Sequence, residues 1–235
     1  MAERLAAPAR GLFVAGTDTG VGKTLAACAL LHGFAELGLR SVGMKPVAAG
    51  ATFSRGVWHN DDVAQLQTAS TVEVTALAIN PYCFAPPIAP HIAAAEAGAV
   101  IRLSTITAGY RRLARAADVV VVEGVGGLLV PLGRRCCASD IPRRLGLPVV
   151  LVVGLRLGCL NHALLTVDAM QRRGLMFAGW IANRMDPQMS RRAQNLDALR
   201  ERLAAPLLGV LPHARDPQPK RLSRTLDINT LNARI

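Results

Sequence analysis

The sequence predicts an α/β protein in a single domain: a mostly parallel central sheet with helices on both faces. Three observations lead there. The chain has 235 residues, and 51% of them are hydrophobic, enough for one medium domain with a sizeable core. Short β-branched runs alternate with longer Ala/Leu-rich stretches, and no repeat, linker or low-complexity tract interrupts them. The strand-like runs are continuously apolar, as strands covered on both faces of a parallel sheet must be.

Residues 11–16 (GLFVAG) read as the first strand, and 24–37 as a helix stopped by Gly38. A second strand covers 41–45 and ends at Pro46, which has no amide proton for a ladder. Residues 118–123 (DVVVVE) and 148–154 (PVVLVVG) are the two most apolar strands. A helix over 161–173 is ended by Gly174, followed by a strand over 177–183, a helix over 190–203 and a short strand over 207–211. Residues 1–9 read as a flexible N-terminus, and the polar, Pro-containing residues 213–235 as a tail wrapping the domain.

Lys plus Arg number 27 against 16 Asp plus Glu, a formal charge of +11. Such a chain could meet the phosphates of nucleic acid. Its arginines, however, are scattered in pairs such as Arg111-Arg112 and Arg191-Arg192, and aromatics are 4%, too few for base-stacking platforms. Solvated faces that attract small anions such as nucleotides are the expectation, with no nucleic-acid partner. Five cysteines cannot all pair, and no C-x-x-C or Cys/His cluster marks zinc. Apolar runs stop well short of the ~18 residues of a membrane span. The opening MAERLAAPAR carries a Glu and no apolar core of a signal peptide. A cytoplasmic protein with reduced thiols and no membrane partner is expected.

The strongest motif is Gly16-Thr17-Asp18-Thr19-Gly20-Val21-Gly22-Lys23-Thr24, between a strand and a helix. In that context glycines let backbone N–H groups turn inward around phosphate oxygens, and the helix N-terminus adds positive potential. Lys23 is placed to reach the β- and γ-phosphates of a nucleotide, and the Thr24 hydroxyl to ligate Mg²⁺. The first glycine stands one residue earlier than in G-x-x-x-x-G-K-[ST], so Thr17 holds the usual glycine position. Carboxylates belong beside such a loop. Glu123 ends the valine strand, whereas Asp61 and Asp62 in HNDD read equally well as a helix N-cap pair. Lys45 ends the second strand on the same edge as Lys23, either as a snorkelling lysine or as a second ammonium for a transferred phosphoryl group. Gly158-Cys159-Leu160-Asn161 is a further glycine turn entering a helix: an anion site, or a plain helix start capped by Asn161.

Together these stretches resemble the dethiobiotin synthetase family. They are GTDTGVGKT (16–24), KPVAAG (45–50), HNDD (59–62), NPYCFAPPIAPHIAA (80–94), VEGVGGLLVPL (122–132), PVVLVVGLRLGCLNHALLT (148–166), AGWIANR (178–184) and APLLGVLP (205–212), nearly the whole chain. The resemblance implies a P-loop NTPase-type domain and an ATP- and Mg²⁺-dependent cyclo-ligase of biotin biosynthesis. Its substrates would be ATP, CO₂ or bicarbonate, and 7,8-diaminopelargonate. One amine becomes a carbamate, the carbamate takes the γ-phosphoryl group, and the second amine closes the ureido ring. It further implies that Lys23 and Lys45 stabilise the carbamate and the migrating phosphoryl group, and that Thr19 faces the amines. Thr24, Asp62 and Glu123 would hold Mg²⁺. Asn183 would read adenine, with Pro212 closing over the base. Gly158–Asn161 would hold the substrate carboxylate across a homodimer interface. Gly20 stands where some members have Glu, and Ala49 where some have Ser, both near the expected diamine.

A partition-type or nitrogenase-iron-protein-type ATPase switch is the main rival, but those proteins place a lysine early in the loop, where this chain has Thr17-Asp18-Thr19. An amidoligase of the cobyrinate type would need a glutaminase domain for which there is no room. The cysteines, His91, His162, Trp58 and Trp180 read as packing residues without catalytic roles.

Overall fold

A computed structural model describes residues 10–54 and 56–235; the expected flexible segment 1–9 lies outside the described residues. In chain order the elements are β1 (Arg10–Gly16), α1 (Lys23–Glu36), β2 (Ser41–Met44), β3 (Val47–Ala49), β4 (Thr52–Ser54), β5 (Val57–His59), α2 (Asp61–Ala69), α3 (Ala76–Ile79), β6 (Tyr82–Phe84), α4 (Pro90–Glu96) and α5 (Leu103–Ala116). Then follow β7 (Val119–Gly127), β8 (Pro131–Gly133), β9 (Cys136–Cys137), α6 (Asp140–Leu145), β10 (Val149–Gly154), α7 (Cys159–Arg172), β11 (Phe177–Asn183), α8 (Arg192–Arg202), β12 (Leu207–Leu211), α9 (Pro219–Leu222) and α10 (Ile228–Asn232).

Among the described residues the central sheet has six strands in the order β12-β11-β10-β1-β7-β2, every neighbouring pair parallel. The valine runs sit at its centre because they are buried on both faces: Val119–Val122 and Val149–Val153 are inaccessible to solvent. The chain leaves β1 toward β2 on one side and later returns to β10 on the other. The crevice at this reversal, outside the carboxyl ends of β1 and its neighbours β10 and β7, is where α/β sheets bind ligands.

Helix α1 is apolar nearly all round, so it must be covered twice. The sheet covers one side and the C-terminal segment the other, with Gly33 so close to Ile228 that a Cβ would lie 2.5 Å from Ile228 Cγ1. The expected tail is thus a packed element: Leu222, Leu226, Ile228 and Leu231 are buried, each worth about 1.5–3 kcal/mol. By contrast α5 shows the half-and-half pattern of a surface helix, burying Ile106, Gly109 and Leu113.

Several boundaries shift for local reasons. Strand β2 ends at Met44 rather than Lys45. Strand β7 runs past Glu123 to Gly127, carrying VEGVGG into the site as strand. Helix α7 starts at Cys159, not Asn161, because Gly158 is its N-cap at φ 96°, so Asn161 lies inside the first turn and caps nothing. The cap of α2 is Asn60, which accepts from the Val63 amide; Asp61 and Asp62 follow it in the first turn, where carboxylates complement the helix dipole. Trp180 is fully buried as expected, but Trp58 is 44% exposed and rests on Phe53 across the β4–β5 hairpin.

Candidate active site

The loop between β1 and α1 is closed by its own lysine: Lys23 Nζ donates to the Asp18 carbonyl at 2.9 Å. Gly22 is the N-cap of α1 at φ 90°, a conformation costly for any residue with a Cβ. The turn places Thr24 in the first turn of α1, facing Asp62 from α2 and Glu123 from β7. Its hydroxyl is 2.7 Å from Asp62 Oδ1 and 2.9 Å from Glu123 Oε1.

Lys45 completes the cluster. Its backbone is pinned on both sides, the amide donating to the Ile79 carbonyl at 2.8 Å and the carbonyl accepting from Asn80 Nδ2 at 2.6 Å. The ammonium donates to Asp62 Oδ2 at 2.6 Å and to Glu123 Oε1 at 2.5 Å. Burial works against charge on Lys45, but attraction to Glu123 and Asp62 and hydrogen bonds to both outweigh it and hold its pKa above the usual lysine value. Burial likewise opposes charge on Asp62, where the neighbouring Lys45 and the Lys45 and Thr24 hydrogen bonds prevail and lower the pKa. At Glu123 burial is the largest influence and pushes the carboxyl up, while the Lys45 ammonium pulls the other way. Lys23, which contacts no carboxylate among the described residues, is lowered to about 8 by burial first and by Lys45 second. The Glu123 Oε2 atom is buried with no hydrogen-bond partner among the described residues.

Lys23, Thr24, Lys45, Asp62 and Glu123 share one cavity of 620 Å³ with Thr19, Gly20, Gly22 and Ala49. Its far wall is Pro87–Pro90 together with Val125, Gly126, Val130 and Pro131. Thr17 and Asp18 do not line it. They face a second cavity of 460 Å³, which Thr19 and His162 also line. The Asp18 carboxylate is already engaged, accepting from Arg156 Nη2 at 2.5 Å and from the Thr19 amide at 2.7 Å.

Gly16 and Val21 support the loop from beneath; a Cβ on Gly16 would lie 2.8 Å from Val21 Cγ2 and 3.0 Å from Lys23 Nζ. Asn183 ends β11 directly under the loop, where its Nδ2 donates to the Val21 carbonyl at 3.0 Å. Its register partner on β12 is Leu211, which puts Pro212 on the same sheet edge. The first turn of α7, Gly158 to Asn161, lines neither cavity but adjoins Arg156, the residue joined to Asp18.

Asn60, Asn80 and Arg156 are supporting residues that motif reading misses. Asn60 Nδ2 donates to the Ala49 carbonyl at 3.2 Å, tying the Lys45 loop to the helix that carries Asp62. A lone Asn before proline, as in Asn80-Pro81, is a turn signal but says nothing of the carbonyl it will meet. Cys136 and Cys137 are half-buried in β9, and the Cys136 thiol is raised to about 11 by burial and by Asp140, a poor source of thiolate. No helix among the described residues is long and apolar enough to cross a membrane.

The parallel sheet, the glycine-rich loop and the lysine at the head of α1 define a P-loop nucleotide-utilising protein. Solved structures agree at the level of fold. The MinD cell division protein of Aquifex aeolicus overlays with a TM-score of 0.60 at 15% identity, covering 96% of each chain. A ParA family ATPase of Chlorobium tepidum overlays with a TM-score of 0.55 at 13% identity, covering 96% of this chain and 94% of that one. Sequence relatives are more specific. A family model described as an AAA domain matches residues 10–221. The ATP-dependent dethiobiotin synthetase BioD of Aromatoleum aromaticum is 55% identical over 217 residues, 92% of this chain and 96% of that one. The chain belongs to the dethiobiotin synthetase family, ATP-dependent ligases of biotin biosynthesis.

Proposed function

We propose that the 620 Å³ cavity closes the ureido ring of dethiobiotin from 7,8-diaminopelargonate, CO₂ and ATP. The observation that supports this best is the convergence of two ammonium groups, Lys23 and Lys45, with two carboxylates and a hydroxyl in one pocket of 620 Å³. Inward-turned amides of the loop and the N-terminus of α1 bind the polyphosphate, and Lys23 exchanges its bond to the Asp18 carbonyl for phosphate oxygen. One substrate amine adds to CO₂ as a carbamate, which lies between the phosphates and Lys45. The carbamate oxygen attacks the γ-phosphorus and ADP leaves. The second amine then attacks the carbamoyl carbon, phosphate leaves, and the ring closes. The protein supplies position and positive charge, and no side chain forms a covalent bond.

Thr24, Asp62 and Glu123 fit Mg²⁺: all are hard oxygen donors, and Glu123 Oε2 is a buried acceptor without a partner among the described residues. Bound there, Mg²⁺ would neutralise charge on the β- and γ-phosphate oxygens. Asn183 and Pro212 are assigned to the base. Thr19 and Ala49 are assigned to the diamine, with Gly20 leaving that wall bare. Gly158, Cys159, Leu160 and Asn161 are assigned to the carboxylate of a substrate bound to the other copy of a homodimer. Leu157, 95% exposed beside that turn, and the exposed Leu129 and Leu165 supply an apolar face for such pairing.

The test is mass spectrometry of a reaction holding the protein, MgATP, bicarbonate and the diamine. The cyclic urea is expected, with ATP consumption that needs the diamine and ignores DNA. ATP consumption without the urea would defeat the proposal.

A further inference from the structure

The cluster that would receive the metal is already occupied by a cation of the protein's own. Lys45 Nζ lies between Asp62 Oδ2 and Glu123 Oε1, and Thr24 Oγ1 between Asp62 Oδ1 and the same Glu123 Oε1. Of the four carboxylate oxygens, three therefore accept hydrogen bonds from these two groups. The fourth, Glu123 Oε2, is buried and has no hydrogen-bond partner among the described residues. The Lys45 side chain is 4% exposed and that of Glu123 is 0%, so solvent screens this pair less than a surface pair, while the Asp62 side chain is 39% exposed.

A divalent ion on Asp62 Oδ2 and Glu123 Oε1 competes with the ammonium that already holds them at hydrogen-bond distance, because like charges that close repel. The Lys45 main chain is held by Ile79 and Asn80, so the backbone cannot yield. The side chain can, since it lines the large cavity and has four rotatable bonds leading into it.

We propose that Lys45 is a stand-in cation: a divalent metal enters only by displacing its ammonium from Asp62 and Glu123, and this exchange is what frees Lys45 to face the reacting oxygens. The inference rests on the assignment of Thr24, Asp62 and Glu123 as metal ligands. It makes metal loading and lysine delivery one event. Metal without nucleotide meets a site whose charges are already balanced, two ammoniums against two carboxylates. Metal arriving with polyphosphate brings the anion that receives the displaced Lys45.

The test measures Mn²⁺ binding alone, by the electron paramagnetic resonance of free Mn²⁺, to the full chain without nucleotide, diamine or bicarbonate. Lys45→Gln removes the competing charge while keeping much of the side chain. Its Mn²⁺ affinity should rise about tenfold or more over wild type. Unchanged or weaker binding by a variant with a native circular dichroism spectrum would overturn the proposal. Should the variant not fold, wild-type crystals soaked with Mn²⁺ and a non-hydrolysable ATP analogue decide the matter. Anomalous scattering should place Mn²⁺ at Thr24, Asp62 and Glu123, with Lys45 Nζ out of hydrogen-bond reach of both carboxylates. Mn²⁺ bound with both lysine contacts intact, or no Mn²⁺ at these residues, would refute it. Neither measurement requires ring closure. A chain that makes the cyclic urea yet fails these tests loses the exchange and keeps its reaction.

Discussion

Replacing Gly22 by alanine probes the link between the phosphate loop and the end of β11. A Cβ at Gly22 would lie 2.2 Å from Asn183 Nδ2, and the residue sits at φ 90°. The left-handed backbone costs a side-chain-bearing residue about 1–2 kcal/mol. Displacing the Asn183 amide breaks its bond to the Val21 carbonyl, a further loss of about 1 kcal/mol. Gly22→Ala should therefore destabilise the chain by about 2–3 kcal/mol and lower the melting temperature by about 5–10 °C for a protein of this size. Asn183→Ala alone loses the same hydrogen bond and some packing, about 1–2 kcal/mol. In the double variant the steric conflict is gone and the hydrogen bond is lost only once. Its cost should fall about 1 kcal/mol short of the sum. Thermal unfolding of the four proteins in one buffer is the assay. Strict additivity, or a Gly22→Ala variant as stable as wild type, would refute the argument that Asn183 buttresses the loop.

Lys23→Ala should abolish turnover yet melt no lower than wild type, since burial already disfavours the Lys23 charge; a substantial residual rate would remove Lys23 from the mechanism. Glu123→Gln should raise the Mg²⁺ concentration needed for half-maximal activity. Because it weakens a buried ion pair with Lys45, it should also cost up to about 3–5 kcal/mol of stability, and an unchanged metal titration would make Glu123 structural. With Lys23 at about 8 in the free enzyme, its ammonium predominates below that pH and is lost above it. The kcat/KM for ATP should therefore fall as pH rises through about 8, and a profile flat to pH 10 would contradict a role for the charged form. Cys28, buried in α1 and raised to about 12 mainly by burial, should resist alkylation in the folded protein at pH 8 and react on unfolding, as mass spectrometry of the labelled chain would show.

Much of this molecule was legible in one dimension because the physics behind it is local. Four valines in a row have no exposed face to offer, so β7 had to be a buried strand. A glycine loop ending in Gly22-Lys23-Thr24 has one stereochemical use between a strand and a helix. The family motifs covered the elements that carry Lys45, Asp62, Glu123 and Asn183. The C-terminal segment was harder to place, since Leu222, Leu226, Ile228 and Leu231 are spread among polar residues and find their partner in α1, about 200 residues away.

Sequence by itself determined the parallel α/β class, the phosphate loop and the family, and through the family resemblance it nominated the charged groups of the candidate site. These follow from side-chain chemistry and short-range spacing. Only the tertiary structure decided how those charges are paired. It joined Lys45 to Asp62 and Glu123, Asp18 to Arg156 rather than to the large cavity, and Asn183 to the underside of the loop. Each of these bonds connects different elements, and Coulomb attraction acts between whichever charges the packing of the core brings within a few ångströms.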